Sequence, residues 1–131
     1  MSDAKPVKKK ILVIDDEGDL LKLAKTRLEA SGYKVLTLDS GDHAVEYAKN
    51  EKPDLILLDI VMPGKNGYDV CRDLKADKVT GGIPVIIFTA QYSDEEYVKV
   101  NVKGAQADDF ILKPFDARSL LTKIDLLLVR S

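Results

Sequence analysis

Acidic residues terminate two separate apolar runs in this chain. Ile11-Leu12-Val13-Ile14 stops at Asp15-Asp16-Glu17, and Leu55-Ile56-Leu57-Leu58 stops at Asp59. Two other runs end on different chemistry: Pro84 to Phe88 leads into Thr89-Ala90, and Asp108 to Leu112 leads into Lys113-Pro114. Carboxylates brought together raise one another's pKa, so Asp15, Asp16 and Asp59 cannot all stay ionised side by side without compensation. A hard divalent cation resolves that conflict. Oxygen ligands with no His or Cys among them suit Mg2+, which takes one or two carboxylates directly, keeps several waters and leaves positions for phosphate oxygens. Lys113 adds a point positive charge and Thr89 a hydroxyl donor. A cation, an ammonium and a hydroxyl around one carboxylate are the parts that stabilise a phosphoryl group in transfer. Asp59, at the centre of the set, is the candidate nucleophile for an aspartyl-phosphate.

Those residues meet only if the elements bearing them line up. Ile11 to Ile14 reads as a strand buried on both faces. Leu20, Leu21, Leu23, Ala24 and Leu28 then recur at helical spacing until Ser31-Gly32. The cycle repeats. A strand over 34–38 precedes a helix carrying Ala44, Val45, Tyr47 and Ala48, with Ser40 as its expected N-cap. A strand over 54–58 leads through the turn-rich 62–67 segment to a helix with Val70, Cys71 and Leu74 on its inner face. A strand over 84–88 leads to a helix that Ser93 and Glu96 would open as a capping box. A strand over 108–112 leads to a helix capped by Asp116 and bearing Leu120, Leu121, Ile124, Leu127 and Leu128. Val98, Val100 and Val102 alternate with polar residues in the fourth helix, a pattern of low helix propensity that predicts a weak, mobile segment. Five strand-helix units in alternation require a parallel sheet with right-handed crossovers. At this length the natural solution is α/β, a flavodoxin-like doubly wound five-stranded sheet of order 2-1-3-4-5 with five helices. All strands then point one way, and the residues that end them share one rim.

Composition narrows the function. The chain has 131 residues, enough for one core, with 20 Lys and Arg against 22 Asp and Glu, a formal net charge of -2. Such a chain carries no global basic field, so direct nucleic-acid binding is not expected. The lone Cys71 makes no internal disulfide and reads as a small apolar residue of the third helix. No apolar run approaches a membrane span and no signal core opens the chain, so the expectation is a cytoplasmic protein with no membrane contact. Residues 1–8, with the Lys8-Lys9-Lys10 run beginning there, read as a disordered tail before a domain over 9–130. His43, the single histidine, is read as exposed on a helix without acidic or kinase-like context.

Taken in order, Ile14-Asp15-Asp16-Glu17, Pro53 through Gly64, Thr89-Ala90 and Phe110-Ile111-Leu112-Lys113-Pro114-Phe115 resemble the signature positions of the response-regulator receiver domain, of the CheY-like superfamily of two-component signalling. The resemblance covers about residues 9 to 130 and is specific because dispersed motifs occur together at fitting spacings. It implies that Asp59 accepts a phosphoryl group from the phosphohistidine of a sensor histidine kinase or a phosphotransfer protein. Asp16 would ligate Mg2+ directly, Asp15 mostly through water, and Val61 through its backbone carbonyl. Lys113 would contact the phosphoryl oxygens. Thr89 would move toward a new oxygen and Phe110 would rotate into the space it leaves, changing the face of the fourth helix, fifth strand and fifth helix for an unidentified downstream protein. Val61 and Gln91 resemble positions that tune dephosphorylation. The chain would be a phosphoacceptor switch rather than an enzyme, catalysing only its own phosphorylation and dephosphorylation. The alternatives are a phosphorylation-independent pseudo-receiver or the receiver of a larger regulator. An aspartyl phosphatase of the haloacid dehalogenase type would want acids in alternate positions after the first strand, and a flavodoxin a glycine- and hydroxyl-rich phosphate loop. The Asp15-Asp16-Glu17 run supplies neither.

Overall fold

The computed structural model describes residues 8–60, 66–90, 95–113 and 116–130, apart from the side chains of Leu20, Ala90, Lys113, Ala117 and Arg130. In chain order the elements are β1 (Lys10–Ile14), α1 (Gly18–Ala30), β2 (Lys34–Leu38), α2 (Ala44–Glu51), β3 (Leu55–Asp59), α3 (Gly67–Ala76), β4 (Val85–Ala90), α4 (Glu95–Gly104), β5 (Asp109–Lys113) and α5 (Ala117–Arg130). The strands form one five-stranded sheet of order β2-β1-β3-β4-β5, with every pairing parallel. Fold class, strand order and alternation agree with the sequence reading.

A sheet covered on both faces explains why its strands are continuously apolar rather than alternating. Successive side chains of β3 diverge: Ile56 and Leu58 enter a core with Ala44, Ala48, Tyr68, Cys71, Leu74, Val98 and Val102 of α2, α3 and α4. Leu55 and Leu57 enter a second core with Leu28 of α1 and Leu120 and Ile124 of α5. Each such side chain, fully buried, contributes roughly 1.5–3 kcal/mol. At the amino-terminal edge of the sheet, polar clamps hold the strands. The Asp54 carboxylate accepts from the Lys10 amide at 2.8 Å, and the Lys75 ammonium donates to Ile83 O at 2.8 Å and to Asp108 at 2.7 Å. Asp108 also accepts from the Val85 amide at 2.8 Å, so α3, β4 and the entry to β5 are tied at one point.

Several local expectations need correction. Ser40 does not cap α2: the Ala44 amide donates back to Gly41 O at 3.2 Å, and the N-cap is His43 in the left-handed region at φ 63°. A turn therefore intervenes between Ser40 and the helix. Leu23 is 54% exposed, because Leu21, Ala24 and Leu28 form the stripe facing the sheet and position 23 lies around the helix from it. β3, β4 and β5 each end one or two residues later than the apolar runs suggest, so Asp59, Thr89 and Lys113 lie within strands rather than after them. The alternating valines of α4 resolve into a helical pair, with Val98 and Val102 buried and Val100 68% exposed. Asp116 caps α5 as expected, accepting from the Ser119 amide at 2.7 Å. Ser93 and residues 1–7 of the assigned tail lie outside the described residues. Among the described residues no helix is long and apolar enough to cross a membrane.

Two features of the cores make predictions. Among the described residues, the Tyr68 hydroxyl is buried without a hydrogen-bond partner. A buried orphan of this kind costs about 1–3 kcal/mol, so Tyr68→Phe should unfold at higher urea concentration by a comparable margin. An unchanged or lower midpoint would mean that the hydroxyl is satisfied in solution. Tyr33, at the entry to β2, donates its hydroxyl to Asp125 of α5. Burial first, then the hydrogen bond and charge of Asp125, push its phenol from 10.0 up to about 12. The folded value exceeds the unfolded one, so this contribution is complete below pH 10 and is lost as pH rises through about 12. The stability gap between wild type and Tyr33→Phe should shrink over that window in urea titrations. A gap independent of pH would contradict the linkage.

Candidate functional site

The site grows from the two central strands. β1 and β3 are neighbours with Ile14 opposite Leu58, so the residues that follow each, Asp15 and Asp59, reach the same rim together. The Asp15 amide donates to Leu38 O at 3.0 Å, continuing the pairing toward β2, and its carboxylate accepts from the Glu17 amide at 3.0 Å. Those bonds turn the chain out of the sheet and hold the acidic corner in shape. Asp15 is buried, Asp16 is exposed, and Asp59 is buried at 4% exposure. One carboxylate oxygen from each of the three lies within 4.8 Å of the others. The convergence expected from the run-ends is therefore real.

Like charges at this spacing, two of them largely removed from water, favour a bound dication. The donor set is all oxygen, and one member is open to solvent. That is the chemistry of Mg2+ rather than of a transition metal, which would draw on His or Cys. The residues present thus fit the cation expected of them.

The neighbouring strands complete the rim. In β4, Phe88 pairs with Asp59, and Thr89 is the next residue, buried at 2% exposure. In β5, Lys113 pairs with Ala90, so its backbone reaches the same edge, while its side chain lies outside the described part. Phe110 pairs with Ile87 further back along β5 and is partly buried against the α2, α3 and α4 core. Val61 and Gln91, given roles by the resemblance, and Pro114 and Phe115 of the signature lie outside the described residues. His43 is exposed at the start of α2, 3.7 Å from Glu46. Cys71 is fully buried, its thiol pushed up to about 11 by burial, which suits an inert apolar filler. Tyr97 is exposed on α4.

Asn66 and Gly67, read from sequence only as parts of a turn-rich loop, are neighbours of the site. The Asn66 side chain caps α3, accepting from the amides of Tyr68 at 2.8 Å and Asp69 at 3.3 Å. Gly67 donates its amide to Ile60 O at 2.9 Å, immediately after Asp59. Only Asn66 carried a signal, as a favoured N-cap type ahead of a helical apolar stripe; nothing in the residue type of Gly67 marks its close approach to β3.

The geometry agrees with known proteins. Residues 11–125 match the family described as response regulator receiver domain. The chain is 41% identical over 119 residues to Protein PilH of Pseudomonas aeruginosa, spanning 91% of this chain and 97% of that protein. It is 42% identical over 123 residues to the alkaline phosphatase synthesis transcriptional regulatory protein PhoP of Bacillus subtilis, covering 94% of this chain and 50% of PhoP. The chain thus spans about half the length of that relative. Among solved structures, a CheY-like receiver domain protein of Methanospirillum hungatei superposes with a TM-score of 0.84 at 33% identity, covering 95% of this chain and 96% of its own. The receiver domain of a sensor histidine kinase from Pseudomonas aeruginosa PAO1 gives a TM-score of 0.83 at 25% identity over 93% of this chain and 98% of its own, and was solved with a magnesium ion coordinated in its active site cleft.

Proposed function

This chain belongs to the response-regulator receiver domain family of two-component systems, and from that premise we propose that Asp59 is its phosphoacceptor. The observation that carries the reading is the meeting of Asp15, Asp16 and Asp59 at one rim. A carboxylate oxygen of Asp59 attacks the phosphorus of a phosphohistidine on a sensor histidine kinase or phosphotransfer protein. The P–O bond forms as the P–N bond breaks, and the imidazole leaves with a proton. Water later attacks the phosphorus, releasing inorganic phosphate and restoring the carboxylate.

Asp16 would hold Mg2+ directly, Asp15 mainly through water, and the Val61 carbonyl would complete the protein's share. The cation, when bound, neutralises the carboxylates and the charge that builds on the phosphoryl oxygens. Lys113 and Thr89 would serve those oxygens as an ammonium and a hydroxyl donor. The chain acts only on itself, catalysing its own phosphorylation and hydrolysis. The new group brings roughly 1.5 to 2 negative charges and three acceptor oxygens to a buried corner. Thr89 turns toward them and Phe110 moves inward behind it. That movement alters the α4, β5 and α5 face for a downstream protein. The site of action is cytoplasmic, alongside the kinase that donates the phosphoryl group.

The test is incubation of the chain with phosphoramidate and Mg2+, read by intact mass. A gain of about 80 Da, one HPO3, is expected. No gain in the presence of Mg2+ would overturn the reading.

A further inference from the structure

Gly67 stands hard against the main chain that follows the phosphoacceptor candidate. A Cβ built on it would stand 2.3 Å from Asp59 O, 2.6 Å from Ile60 Cα and 3.0 Å from Asp59 C. Non-bonded carbon atoms prefer about 3.5–4.0 Å, so a methyl group cannot be accommodated as the backbone stands. All three obstructing atoms are main chain, and no rotamer change relieves them. The requirement is close approach rather than backbone conformation: Gly32 has a positive φ, whereas Gly67 is not among the positive-φ residues.

Both sides of this contact are held. β3 is paired to β1 as far as Leu58 on one side and to β4 as far as Asp59 on the other. α3 is fixed by its Asn66 cap, by the Gly67 amide bond to Ile60 O, and by buried Tyr68, Val70, Cys71 and Leu74. Helix and strand are both anchored, so a side chain at position 67 would spend its displacement at the junction between them, the Asp59-Ile60 peptide. We infer that Gly67 is a positioning residue for Asp59: the bare backbone of the first turn of α3 is the surface against which the phosphoacceptor's main chain is set. The inference rests on the role proposed for Asp59.

Gly81 supplies a matched control. Its Cβ would lie 2.8 Å from Asp77 O and 2.9 Å from Lys75 O, also main chain, in the turn before β4 at the opposite edge of the sheet. Gly67→Ala and Gly81→Ala should therefore both lower the melting temperature, and only the first should slow chemistry. Misplacing a reacting group by about 1 Å costs on the order of 10²-fold in rate. With phosphoramidate and Mg2+, Gly67→Ala should lose about that factor in maximal phosphoryl uptake, with the donor concentration for half-maximal rate little changed, while Gly81→Ala keeps the wild-type rate. Uptake by Gly67→Ala within a factor of about three of wild type, or equal slowing in Gly81→Ala, would overturn the inference. Should Gly67→Ala fail to fold, Asn66→Ala loosens the same helix entry without adding atoms and should slow uptake several-fold; an unchanged rate there would count against the role. A wild-type chain that takes up no phosphoryl group would remove the acceptor reading alone. Gly67 would then be judged by backbone amide resonances, where Gly67→Ala should shift Asp59 and Ile60 and Gly81→Ala should leave both in place. Unmoved resonances in Gly67→Ala would overturn the positioning role independently.

Discussion

Asp59→Ala should gain no mass from phosphoramidate under conditions in which the wild-type chain gains about 80 Da. The expected effect is complete loss rather than slowing, because the side chain forms the covalent bond and no neighbouring group replaces it. Asp15 and Asp16 remain in the variant, but both face the cation in the proposed arrangement and have their charge committed to it. Folding should not confuse the outcome. Far-UV circular dichroism of the variant distinguishes loss of chemistry from loss of fold. A full mass gain in the variant would move the acceptor to another residue, which peptide mapping would identify. Asp59→Asn keeps the shape and discards the nucleophilic charge, and should be equally silent.

Asp16→Ala should weaken Mg2+ binding, measured by calorimetry, by more than the roughly 10–100-fold that follows loss of an outer-shell partner. Asp16 is the informative position because it is exposed, so its removal disturbs only the cation. Asp15 is buried and accepts from the Glu17 amide at 3.0 Å, so Asp15→Ala would also orphan a donor and loosen the turn out of β1. Phosphoryl uptake should fall in parallel with occupancy and recover in Asp16→Ala at raised Mg2+ concentration, since the acceptor itself is intact. A chelator should likewise suppress uptake by the wild-type chain. Unchanged affinity in Asp16→Ala would remove this residue from the ligand set.

The readable part of the fold was its periodicity. Leu55-Ile56-Leu57-Leu58 is apolar without interruption because both faces of β3 meet helices, and that pattern identified a central parallel strand before any partner was known. Boundaries were less legible. Thr89 and Lys113 are polar yet hydrogen-bonded within the sheet, since strand pairing runs through the backbone and is indifferent to where the apolar run stops. The Ser40 cap failed for a related reason: a serine before an apolar periodicity says nothing of the turn that His43 makes at positive φ. Leu23 failed because helical spacing admits more than one stripe, and only the sheet decides which is covered.

Residue type and order along the chain were enough to establish the alternation of strands and helices, the strand order it permits, and which strand ends share one edge. These follow from local rules: side-chain period, capping chemistry and the handedness of crossovers. Proximity at the scale of ångströms was another matter. The 4.8 Å gathering of Asp15, Asp16 and Asp59, the burial of the first and third with the second left open, and the absence of space for a methyl at position 67 depend on how α3 and three strands pack against one another. Such contacts join residues far apart in the chain, and a packed interior settles them collectively, with no single stretch of sequence carrying the distance.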